Sequence, residues 1–163
     1  MLYLIVIIIL KWSRREETEF YRAINSFGIE KHSETDEIIW TNFRNACNLP
    51  RKSNESLTEY FKAFYTMCQK ICQRYPLLYD DNNTLEVENI STERANRCLM
   101  KINIISKIRN EIIVHPEIEK RIKLCESTND FPSWWIAGFH DLSILKGISN
   151  LKLNKIFNAV GTL

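Results

Sequence analysis

Apolar residues recur along most of this chain at three- and four-residue steps, the period of helices that bury one face. Phe20, Ile24 and Phe27 share such a face, while Arg14, Arg15, Glu16, Glu17, Glu19 and Arg22 point elsewhere, and Gly28 stops the helix. A second, short helix is predicted from about Glu37 through Ile39, Trp40, Phe43 and Ala46 to Leu49, with Pro50 forcing its end. Ser53 or Asn54 caps the third and clearest helix. Its Leu57, Phe61, Phe64, Met67, Cys68, Ile71 and Cys72 form an inner stripe, and Glu55, Glu59, Lys62, Gln69, Lys70 and Gln73 form a wet one. Three helices of this size with bulky aromatics inside make a minimal tri-helical domain over residues 11–75.

Residues 76–90 read as a linker, after which Ser91 or Thr92 caps a fourth helix. Ala95, Cys98, Leu99, Ile102, Ile105, Ile108 and Ile112 form its stripe, and it ends near His115-Pro116. Pro116 suits the first turn of a fifth helix with Ile118, Ile122 and Cys125 inward, which completes a helical pair over residues 91–126. Residues 127–163 carry Trp134-Trp135 and a last helix containing Leu142, Leu145 and Ile148. The predicted fold class is therefore all-α.

Composition changes this picture little. Only four glycines and four prolines occur among 163 residues, as long elements with few breaks require. Residues 11–75 hold 11 basic and 9 acidic side chains, residues 76–90 hold no basic and 4 acidic, and residues 91–163 hold 11 basic and 7 acidic. The middle piece is an acidic linker, and the mildly basic flanks fall short of a dedicated nucleic-acid binder. Cys47, Cys68, Cys72, Cys98 and Cys125 fall mainly on apolar faces and read as reduced core thiols. The opening MLYLIVIIIL is too short to span a membrane and lacks a signal peptide's basic start and cleavage site. It is predicted to lie outside the fold, with membrane attachment not expected.

Chemistry is sparse. There is no phosphate loop, no nucleophile elbow, no HExxH and no metal-ligand spacing, and His32, His115 and His140 read as surface or cap residues. No catalytic residue, no metal ligand and no cofactor is predicted.

The segment WSRREETEFYRAINSFGIE, a tryptophan before a charged aromatic helix ending in Phe-Gly, resembles the start of a Myb or SANT-type repeat. WTNFRNACNL, RKSNESLTEYFKAFYTMCQKIC, ISTERANRCLMKINIISKIRNEIIVHPEIEKRIKLC and FPSWWIAGFHDLSILKG then follow in the order seen in the Kismet-like subfamily of chromodomain helicase DNA-binding proteins. The likeness runs from about Trp12 to Gly147. It implies a Myb/SANT-like three-helix unit, a long helix, a shorter helix and a partial second Myb-like unit, from a region downstream of an ATPase motor and a SANT-SLIDE pair. It departs from the family at both ends and at Phe139, where the family has arginine before His-Asp.

The resemblance implies nuclear residence and service to a nucleosome remodeller as a non-catalytic module. In a Myb-like layout the third helix faces DNA, which makes Arg51, Lys52, Lys62, Lys70 and Arg74 the candidate nucleic-acid-binding residues. Lys and Arg without neighbouring Asn or Gln promise phosphate contact and little base readout. The alternative is a protein-docking module for histone tails, partner subunits or other remodeller domains, with Asp80, Asp81, Glu86 and Glu88 attracting basic segments.

Overall fold

The computed structural model describes residues 11–32, 35–80 and 85–149. The apolar opening and the tail 150–163 lie outside the described residues, as does Asp81. Every regular element among them is helical apart from one isolated antiparallel bridge, Lys31 to Ile38. No helix among them is long and apolar enough to cross a membrane. Contacts divide the chain into a first unit ending at Asn103 and a second beginning at Ile104.

Helix α1 spans Arg14–Phe27 and starts on a capping box: the Ser13 hydroxyl accepts from the Glu16 N–H at 3.3 Å, and the Ser13 N–H donates to Glu16 Oε2 at 2.9 Å. Gly28, with a φ of 61°, closes it by donating its N–H to the Ile24 carbonyl. Helix α2, Trp40–Ala46, begins three residues later than the apolar pattern predicts. The β-branched pair Ile38 and Ile39 precedes it as extended chain, tied back by Ile39 N–H to the Glu30 carbonyl and His32 N–H to the Glu37 carbonyl, each 2.8 Å. Helix α3, Asn54–Ile71, carries its expected cap, the Ser53 hydroxyl accepting from Ser56 N–H at 3.2 Å.

The three helices close on Phe20, which is fully buried. Its ring meets Tyr60 edge-on at 4.9 Å, Phe43 at 5.4 Å and Phe64 at 5.9 Å, and Trp12 stacks on Tyr60 at 3.8 Å. Such pairs add about 0.5–1.5 kcal/mol each beyond the area they bury. Aromatic packing of this density explains how so short a helix as α2 holds its place through Trp40 and Phe43.

The acidic segment is not a free linker. Tyr79 packs edge-on against Phe61 and Tyr65, and Leu85, Val87 and Ile90 lie half-buried against the same core. Helix α4, Thr92–Lys107, follows and buries Ala95, Cys98, Leu99 and Ile102 there too. The first unit is thus a three-helix core closed by a strap and most of a fourth helix, and the unit boundary falls inside α4 at 103/104.

The second unit is thinner. After a π-helical turn at Ile108–Ile112 come α5, Ile118–Ile122, and α6, Phe139–Ser149. Among its described residues Ile105, Ile108 and Ile122 are the buried apolar side chains, and α6 buries none of its own. Cys125, expected inward, is exposed because α5 ends at Ile122, before its next turn forms. Gly138, at φ 78°, is required: a Cβ there would stand 3.0 Å from the Ile122 carbonyl oxygen. Phe131, Trp134, Ile136 and Phe139 remain exposed.

Candidate nucleic-acid interface

The five predicted basic residues do not form one surface. Arg51 lies exposed in the turn before α3, and Lys62 and Lys70 are exposed on α3 itself. The Lys62 ammonium hangs 6.0 Å from the Tyr79 ring, and exposed Arg74, just past the helix, donates to the Asn96 side-chain carbonyl.

Lys52 departs from them. Only 6% exposed, it donates to the Lys11 carbonyl at 3.0 Å, pairs with Glu16 at 3.3 Å and sits 4.7 Å over the Trp12 ring. A lysine is seldom buried unless paired, and here Glu16 supplies the partner. Burial pushes the Glu16 carboxyl up, but hydrogen bonds from the Ser13 backbone and hydroxyl and from Lys52 outweigh it and hold the group below its ordinary value. The Lys52 ammonium is withdrawn from solvent and ties α1 to the start of α3, so it is not part of a phosphate-facing surface.

The wet stripe of α3 is also shorter than its periodicity predicts. Gln69, assigned to that stripe, is buried, as is Thr66 between Lys62 and Lys70. Gln69 accepts from the Leu78 N–H at 2.9 Å and donates to the Pro76 carbonyl at 3.4 Å, which folds the following chain onto the helix. At the helix start Glu55 and Glu59 are exposed. Hydrogen bonds from its own N–H and from the Ser53 side chain hold the Glu55 carboxyl below its ordinary value, so it carries charge there. A helix entering a major groove reads bases with its first residues, and two carboxylates there oppose the phosphates on either side.

Periodicity did not flag three basic residues that the fold brings together: Lys11 before α1, Arg14 in its first turn and Arg94 in the first turn of α4. All are exposed. Arg14 pairs with Glu88 at 3.3 Å, and the Arg94 guanidinium lies 4.7 Å from the Tyr21 ring. Lys11, Arg14, Glu86 and Glu88 line one cleft of about 690 Å³, and Arg14, Glu88 and Arg94 line another of about 210 Å³. Because they come from separate elements, no spacing in the sequence connects them.

No group of three or more metal-ligating side chains occurs among the described residues. Cys47, Cys68 and Cys98 are buried free thiols, and burial pushes the Cys47 thiol up to about 11.

Residues 8–93 match the family model described as "Chromodomain-helicase-DNA-binding protein 6-9, tri-helical". Among curated proteins, the chain is 40% identical over 140 residues to chromodomain-helicase-DNA-binding protein 7 of Homo sapiens, covering 84% of this chain and 5% of that protein. It is 38% identical over 148 residues to chromodomain-helicase-DNA-binding protein 6 of Homo sapiens, covering 89% and 5%. To chromodomain-helicase-DNA-binding protein 8 of Xenopus tropicalis it is 35% identical over 147 residues, covering 89% and 7%. The chain thus spans only a small part of the length of the relatives it matches. No solved structure matches it significantly.

Proposed function

The chain belongs to the tri-helical family of chromodomain-helicase-DNA-binding proteins 6-9, and on that premise we propose that it is a non-catalytic, nuclear module of a nucleosome remodeller that makes a weak, phosphate-directed contact with duplex DNA. The observation that carries this reading is the set of exposed basic side chains of the first unit, Arg51, Lys62, Lys70 and Arg74 with Lys11, Arg14 and Arg94. Near-neutral total charge keeps the affinity low, and the acidic start of α3 leaves little base readout. Histone tails and other remodeller subunits are the partners of a second reading, protein docking. That reading is favoured by the exposed Phe131, Trp134, Ile136 and Phe139 of the second unit.

Binding of the full chain to a short duplex at two salt concentrations separates the two. On the DNA reading affinity falls steeply with salt, and Lys62→Gln with Lys70→Gln flattens the log–log slope by about 0.9 per lost phosphate contact. A chain without salt-sensitive affinity, or one indifferent to both substitutions, refutes the DNA reading.

A further inference from the structure

Along Leu85–Glu88 exposure alternates: Leu85 and Val87 lie half-buried against the core while Glu86 and Glu88 stay exposed. Its carboxylates stand among the basic side chains that no helix period connects. Glu88 pairs with Arg14 at 3.3 Å, shares a cleft with Arg94, and with Glu86 lines the cleft that also holds Lys11. Leu85 and Val87 line a further cleft, of about 270 Å³, with Lys70. One acidic segment therefore lies beside the basic groups Lys11, Arg14 and Arg94, anchored by apolar side chains whose docking does not depend on its charge.

We infer that Leu85–Ile90 is a charge strap that offsets this basic collar and sets how tightly the first unit holds duplex DNA. The inference rests on the phosphate-directed reading above. Glu88 pairs with Arg14, so a phosphate approaching Arg14 competes with a carboxylate for its charge, and Glu86 lowers the potential at Lys11. No movement of the strap is required: neutralising its carboxylates leaves Leu85, Val87 and Ile90 in place and releases the collar.

The test compares the full chain with its Glu86→Gln/Glu88→Gln form on a short duplex and on immobilised heparin. Glu119→Gln/Glu126→Gln in the second unit makes the same change in net charge away from the collar. Each strap carboxylate removed is expected to tighten duplex binding roughly two- to fivefold at low salt, the range of an exposed ion pair. Freeing Arg14 should steepen the salt slope by about 0.9, and adding Arg14→Gln should restore the original slope. Strap and control variants that elute from heparin together, or a strap variant with unchanged duplex affinity and slope beside a salt-sensitive parent, overturn the strap. A parent and variant that both ignore duplex, while the strap variant alone elutes later from heparin, overturn the DNA reading and support the strap as a device for another polyanion.

Discussion

The Lys52 ammonium lies 4.7 Å above the Trp12 ring while donating to the carbonyl of Lys11. With Glu16 at 3.3 Å it links the entry of α1 to the entry of α3, and the lysine's charge serves the fold. Replacing Lys52 with methionine keeps much of the stem packing but removes the cation–π contact and strands Glu16. A loss of about 1–3 kcal/mol is expected, below the figure for a fully buried pair because Glu16 retains some solvent. Urea unfolding measures it, and duplex affinity should not change beyond what unfolding explains. A stable variant with weakened DNA binding would return Lys52 to the interface.

Glu16 gives a pH signature. Its carboxyl is held below the ordinary glutamate value in the folded chain, so its contribution is present above the unfolded pKa and is lost as pH falls through the folded one. The stability gap between the parent and Glu16→Gln should be widest at neutral pH and close in acid. A gap that stays constant across the titration would contradict the hydrogen bonds from Ser13 and Lys52 as its source.

Phe20 and Phe139 should behave as opposites. Phe20→Ala empties the centre of the first unit and is expected to cost about 3–5 kcal/mol, a large share of a small domain's stability. Phe139, 65% exposed, should tolerate alanine within about 0.5 kcal/mol. Thermal unfolding followed by near-ultraviolet dichroism distinguishes them, and a large loss at Phe139 would mean that the second unit packs more tightly than its side-chain exposure shows.

Thiol reactivity should follow burial. Cys125 reacts first with a disulfide reagent under native conditions, Cys72 follows, and Cys47, Cys68 and Cys98 wait for unfolding. Peptide mass mapping after a short pulse reads the order directly. Early labelling of Cys98 would show that α4 does not stay docked on the first unit.

The three helices and their aromatic inner face were legible because each carries its own period, and Gly28 and Ser53 announce their roles locally. The start of α2 was not, since Ile38 and Ile39 read as apolar in helix and in extended chain alike. Four carboxylates made residues 76–90 look solvated, although Leu85, Glu86, Val87 and Glu88 carry a clear alternation of their own. Lys52 reads as a surface residue for the ordinary reason that lysines are usually exposed, and its burial depends on Trp12 and Glu16, which only the tertiary fold brings near it. Of the collar, Lys70 was legible in the wet stripe of α3, whereas Lys11, Arg14 and Arg94 were not joined, because the start of α1 and the start of α4 meet only in the fold.

A core closed by Ala95, Cys98, Leu99 and Ile102 of α4 is not a portable cassette. The tri-helical family model ends at residue 93, the second residue of that helix, yet the apolar surface of α1 and α3 is closed in part by the turns that follow. A gene rearrangement or a cloning boundary that respects the family model alone would sever the lid from its box and leave a greasy face for the cell's quality control to find.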